Sequence, residues 1–151
     1  MARLGDRSPI IGTCEVDEGE ARSRFAAERV ARLATVRSDG SPHLVPIVFA
    51  LDDETIVFAV DDKPKATRKL QRLANIRGEP RVSVLVDHYD EDWTAVWWVR
   101  VDGRARVVDA GPALDRAVAL LAEKYHQYAA GPPPGPAVLI DAETWRWWSS
   151  S

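Results

Sequence analysis

The sequence predicts a mostly β, α+β fold: a small antiparallel barrel of six or so strands with two or three helices outside it. Three observations predict it. Short stretches rich in Val, Ile and Thr alternate with period two between 33 and 60, 81 and 109, and 137 and 148. Turn signals such as Asp39-Gly40 fall close enough between neighbours for hairpins. Helical spacing of apolar residues is confined to two or three segments, and hairpin-joined strands with helices outside them form barrels. With 151 residues the chain has enough length for one cored domain and not for two.

In order along the chain, residues 1–16 show no periodicity and are expected to form an arm, with a single domain over 17–151. A helix begins at Asp17. Phe25, Val30 and Leu33 are its apolar stripe, and its first-turn acids suit the helix dipole. Leu33 to Arg37 is a short strand, turning at Ser38-Asp39-Gly40-Ser41 into a second strand from Pro42 to about Leu51. Asp52-Asp53-Glu54 turns into a third strand, Thr55 to Val60, so the three form a meander. Pro46 lacks a ladder donor, which makes its position an edge, a bulge or a break.

Next comes a basic segment. Between Lys63 and Gly78 there are six Lys or Arg and no Asp or Glu, against a formal net charge of −3 for the chain. A turn opening into a helix presents free N–H groups that hold anions, and Lys63, Lys65, Arg68 and Lys69 add charge around it. The plain alternative is the wet face of an amphipathic helix with Ala66, Leu70, Leu73 and Ala74 buried. Gly78 and Pro80 end the helix, and Arg81 to Asp87 is a strand with Val82, Val84 and Val86 on one face. Thr94 to Asp109 is a long strand in which Gly103 marks a bulge or bend. Pro112 to Tyr128 is a second clear helix, Gly131 to Pro136 a rigid linker, and Ala137 to Trp148 the final strand.

Composition excludes several classes. The net negative charge argues against a general nucleic-acid binder. No apolar run approaches the ~20 residues that span a bilayer, and no signal-peptide core is visible. Cys14 is the only cysteine, so no internal disulfide forms, and the compartment is expected to be cytosolic. His43, His88 and His126 follow no metal spacing. His88 with Asp87, Asp90 and Asp92 reads as a solvated turn. Six tryptophans, at 93, 97, 98, 145, 147 and 148, suggest a packed surface, an interface or a planar ligand. Val45, Ile47, Trp97 and Trp98 could wall a flat ring, or the tryptophans could fill a core or dimer interface.

Several motifs recur in a familiar order. They are Asp39-Gly40-Ser41-Pro42, the strand with Pro46, Lys63-Pro64-Lys65, Leu73-Ala74-Asn75, Pro80-Arg81-Val82-Ser83-Val84, and Val99-Arg100-Val101-Asp102-Gly103. Together they resemble the pyridoxamine 5'-phosphate oxidase-like split β-barrel superfamily over roughly residues 20 to 148. Residues 61–73, 85–93, 97–103, 124–128 and 145–148 are similar to its branch of probable enzymes dependent on the deazaflavin coenzyme F420. The resemblance implies a six-stranded antiparallel split barrel and a homodimer with two cofactor sites between subunits. It implies that Lys63, Lys65, Thr67 and Arg68 hold the cofactor phosphate, with Val60 and Asp61 leading into that turn. His43, Val45, Pro46, Ile47 and Val48 would lie along the ring, and Trp97, Trp98 and Arg100 would come from either subunit.

One departure matters. Where true pyridoxamine phosphate oxidases carry Arg-Gln and a basic C-terminus, this chain has Trp97-Trp98 and Trp147-Trp148-Ser149. Pyridoxamine phosphate is therefore not the expected substrate. The implied activity is hydride transfer from reduced F420 to a small conjugated or quinone-like acceptor. An FMN flavoprotein and a non-catalytic cofactor-binding or storage protein are the alternatives. Solvent, His43 or Tyr89 could supply a proton, and the residues do not choose among them.

Overall fold

The computed structural model describes residues 16–60 and 70–150. Apart from Val16, the expected N-terminal arm lies outside them. So do Asp61, Lys63, Lys65, Thr67 and Arg68.

The chain begins with α1 (Glu18–Ala27). The Asp17 carboxylate accepts from the Glu20 amide at 2.9 Å, which satisfies an otherwise orphaned N–H and ends the run-in. The expected stripe through Val30 and Leu33 is too long. Glu28 is already extended, Ala21 and Phe25 are the buried residues, and Leu33 belongs to the next strand.

Strands β1 (Ala31–Val36) and β2 (Pro42–Ile47) form the expected hairpin at Asp39-Gly40, with Gly40 at φ 88°. Then follow β3 (Ala50–Asp52), β4 (Thr55–Ala59), α2 (Leu70–Gly78), β5 (Arg81–His88), a 3-10 turn (Trp93–Ala95) and β6 (Trp97–Val108). α3 (Pro112–Lys124), α4 (His126–Ala130) and β7 (Ala137–Ser149) complete the chain. The single helix expected over 112–128 is thus two, because Tyr125 is extended between them.

All described strands pair antiparallel in the order β2-β1-β5-β6-β7-β4-β3. This corrects two expectations. There are seven strands among the described residues, because the segment expected as one strand from Pro42 to Leu51 breaks at Val48 and Phe49. Nor is there a three-strand meander: β4 pairs with β7 and β3, while β2 and β3 lie at opposite ends of the sheet. The cause of the break is distant in sequence. The Tyr125 hydroxyl lies 3.2 Å from the Phe49 amide and 3.0 Å from its carbonyl, so this backbone is held by a side chain instead of a strand.

Pro46 is an edge proline. The Arg37 amide donates to Ser41 at 2.9 Å, and antiparallel alternation from that bond leaves Pro42, Leu44 and Pro46 facing the free edge of β2. Two of those three positions have no N–H to offer, which blunts the edge against further pairing.

The core inside the curl of the sheet joins Phe25 and Ala21 of α1, Leu73 and Ile76 of α2, and the inward residues of β1, β5, β6 and β7. Ala74, expected on the buried side of α2, is exposed, and Asn75 is buried instead. Asn75 donates to Thr35 at 3.0 Å and accepts from Gln71 at 2.7 Å, a satisfied buried chain that pins α2 to β1. A second core lies between α3 and the outer side of β3, β4 and the start of β7.

Candidate functional site

At the split between β2 and β4 the structure forms a cleft of about 190 Å³, lined by Pro46, Ile47, Val48, Phe58, Ala59, Arg72 and Tyr128. The edge position of Pro46 and the break in the strand after Ile47 bring Pro46 and Val48 into its lining. The Arg72 guanidinium lies 5.4 Å from the Phe58 ring centroid and is the cation of the described lining. Val60, next to cleft-lining Ala59, is anchored at both backbone groups: its N–H donates to Pro136 at 2.9 Å and its carbonyl accepts from Gly135 at 3.2 Å. The basic stretch begins at Lys63, after Asp61 and Asp62. A volume of 190 Å³ is below the ~300 Å³ at which ligand pockets usually begin. This cleft therefore has room for a ligand's tail and not for a whole dinucleotide-sized cofactor.

The sequence-predicted residues fall into three places. Pro46, Ile47, Val48 and Val60 meet at or beside the cleft, although Ile47 and Val60 face the core, at 6% and 7% exposure. His43 and Val45 share the inward face of β2 with Ile47. His43 packs beneath α2, with its Nδ1 buried and without a hydrogen-bond partner among the described residues. Burial, then the charges of Arg37 and Arg72, push its pKa below the ordinary value, so the imidazole is neutral at physiological pH. An imidazolium proton donor is thereby disfavoured.

Trp97 and Trp98 separate because neighbours on a strand face opposite sides. Trp97 packs on the core, under the Arg24 guanidinium at 5.3 Å and stacked with His88 at 6.0 Å. Trp98 lies on the outer face, beside Trp148 and Asp87 in register. Arg100, on the same outer face, sits 5.9 Å from the Trp98 ring and donates to Asp102 at 3.1 Å. Three strand spacings separate Pro46 from the β6 row, on the order of 14 Å. Val45, Ile47, Trp97 and Trp98 therefore do not form one wall within one chain.

Arg72, Tyr128, Phe58 and Ala59 were not singled out in the sequence. Arg72 was visible as one of the six cations, and Tyr128 as a residue at helical spacing. Neither pattern tells which of them reaches a cleft.

Lys124 stands behind this site. Its Nζ is buried with no hydrogen-bond partner among the described residues, 3.9 Å from the Phe49 ring centroid, next to cleft-lining Val48. Burial, then repulsion from Arg29, lower its pKa to about 8, with Glu28 opposing. The unfolded ammonium keeps its proton up to about 10.5, so between 8 and 10.5 the unfolded state holds more protons and stability rises with pH. After discounting for partial exposure, we expect a rise of about 1 kcal/mol. Tyr125, whose pKa burial raises above 10.0, reverses the trend once the unfolded phenol ionises. Melting temperatures from pH 7 to 10 check this, and Lys124→Met should flatten the rise.

A broader groove of about 410 Å³ lies elsewhere, between β1, β5 and β6, and its lining includes Glu79, Arg81, Ser83 and Asp102. Its carboxylates are already engaged: Glu79 by Arg81 at 2.9 Å, Asp102 by Ser83 at 2.6 Å. None of the predicted cofactor contacts is in its lining.

Comparison with known proteins accords with the fold. A solved structure of conserved hypothetical protein Rv2991 from Mycobacterium tuberculosis is 26% identical, with TM-score 0.74, covering 91% of this chain and 87% of that one. An FAD-binding protein from Mesorhizobium loti is also 26% identical, with TM-score 0.63, covering 85% of this chain and 91% of that one. The haem storage protein HutZ from Vibrio cholerae shares the fold at 20% identity and TM-score 0.65, covering 87% of this chain and 93% of that one. No curated protein matches the sequence. Residues 18–149, from the first turn of α1 to the end of β7, match the pyridoxamine 5'-phosphate oxidase family, and the chain belongs to it.

Proposed function

We propose that the protein is an oxidoreductase that uses reduced coenzyme F420 to reduce a small conjugated or quinone-like molecule. The observation that carries this reading is the cleft at the strand split, whose lining includes Arg72, one of the six cations between Lys63 and Gly78. The cofactor's anionic tail would enter there, held by Arg72 and by Lys63, Lys65, Thr67 and Arg68. The described residues offer such a tail a cation, Arg72, in a cleft whose exposed lining is mostly polar. When bound, the deazaflavin supplies the hydride chemistry. The protein's own part is to orient the ring along β2 and to keep water from it.

A 190 Å³ cleft leaves the ring outside, and a second copy of the chain would supply the missing wall. The outer face of the sheet suits that role. Leu44 is 67% exposed and Val30 41%, with Trp98 and Trp148 part-exposed in the same layer. The buried residues of the described helices are turned elsewhere: those of α1 and α2 into the barrel, and those of α3 onto β3, β4 and β7. The proposed unit is therefore a homodimer, which sedimentation velocity tests.

The likeness to an FAD-binding protein favours a second reading, a flavin nucleotide such as FMN in the same position. Fluorescence titration with F420 and with FMN separates the two. Tight F420 and weak FMN binding supports the first reading, the reverse supports the second, and binding of neither removes both. Lys65→Ala should weaken the preferred cofactor by ~1–3 kcal/mol, the loss of one charge-assisted contact. Unchanged affinity would sink the phosphate-turn assignment.

A further inference from the structure

Among the described residues, the largest aromatic surfaces open to solvent are not in the cleft. Trp93 is 70% exposed and Tyr89 60%, and both sit on the hairpin between β5 and β6. This hairpin is rigidly built. Trp93 Nε1 donates to the Tyr89 hydroxyl at 3.2 Å, and that hydroxyl donates to Glu91 at 3.2 Å. Asp92 accepts from the Thr94 amide and hydroxyl at 3.1 and 2.7 Å, and Asp90 accepts from the Asp92 amide at 2.8 Å. Ser150, just after the end of β7, donates to the Trp93 carbonyl at 2.6 Å. A tryptophan left exposed by chance does not need its backbone fixed from both sides.

With its N–H already engaged by Tyr89, Trp93 offers ring faces and no free donor. Asp90, Glu91 and Asp92 surround it with negative charge. A rigid, donor-free aromatic face in a negative field selects flat π-systems, cations over anions. The hairpin leads into β6 at Trp97, next to Trp98, which the proposed function places on the face that a second copy would cover.

We propose that Trp93 and Tyr89 form the acceptor-binding face of this protein, and that its acceptors are flat aromatic molecules, neutral or cationic, with anionic ones rejected. The proposal rests on the F420 reading for its link to turnover, but not for the binding itself. Trp93 is the specificity-determining residue and Asp90 with Glu91 set the charge preference.

The test is fluorescence polarisation of two matched flat dyes, N-methylacridinium and acridine-9-carboxylate, on the full chain without cofactor. The cation should bind at least ~10-fold more tightly at low salt, with the gap shrinking as salt rises. Trp93→Ala should weaken the cation ~10-fold, Trp93→Phe should restore most of the affinity, and Asp90→Asn with Glu91→Gln should close the gap between dyes. Unaltered melting temperatures show that the exposed substitutions leave the fold intact. Equal binding of both dyes by the wild type, or an unaffected Trp93→Ala variant, overturns the proposal. The F420 titration is read separately, so its failure removes the redox reading and leaves the dye result standing.

Discussion

Replacing Gly103 by alanine is expected to destabilise the protein by ~3 kcal/mol or more, enough to abolish folding of a marginal domain. A Cβ at this position would sit 2.3 Å from the Asp141 carbonyl oxygen and 3.1 Å from its carbon. Both are backbone atoms of the neighbouring strand, so no rotamer change relieves the clash. The close approach comes from the bulge. Asp102 pairs with Thr144 but Gly103 pairs with Ala142, so β7 carries one extra residue there. β6 and β7 form the longest strand pair of the sheet, and parting them would open the barrel at its middle. Urea unfolding of Gly103→Ala checks this, with Gly78→Ala as a control, since nothing lies within 4 Å of a Cβ there. A midpoint equal to wild type would mean the bulge can relax.

Phe25→Ala is expected to cost ~3–5 kcal/mol, the usual loss for a fully buried aromatic. Phe25 is 0% exposed, with ring centroids 5.1 Å from Phe49 and 5.4 Å from Trp145. Ala21 is the other buried residue of α1, so the helix is held to the barrel by little else apolar. The surrounding ion pairs do not compensate. Arg22 with Glu18 and Glu54, and Arg24 with Glu20, are part-exposed pairs worth ~1 kcal/mol or less each. Hydrogen exchange should therefore show α1 amides losing protection before those of β6 in the variant. Phe25→Leu should recover more than half of the stability lost. If the alanine variant unfolds at the wild-type urea midpoint, the packing account of α1 is wrong.

Local chemistry was legible in the sequence wherever its partner was also local. The helix start at Asp17, the Asp39-Gly40 hairpin, the alternation of Val82, Val84 and Val86, and a bulge or bend at Gly103 were all visible, because each depends on backbone preference or on a near neighbour. The family was legible too, since the order of short motifs is a property of the chain alone. The count of strands was not. Apolar alternation continues past Val48, and the force that ends β2 is the hydroxyl of Tyr125, 76 residues later. Strand partners were equally hidden, because alternation says which face is buried and not which strand lies alongside.

The candidate site divides in the same way. Pro46 and the cations from Lys63 onward could be picked out as unusual for their positions, and Val48 was implied by the family resemblance. That Arg72 and Tyr128 join them, and that Trp97 and Trp98 turn to opposite faces, was decided by tertiary structure. The sequence by itself determined the kinds of side chain available, a local concentration of cations, a proline without a ladder donor in a strand and paired tryptophans. Which of them share a cavity was decided by α2 and α4 packing across the strand split. Such placement depends on the geometry of the whole sheet, and no residue's local preference encodes it.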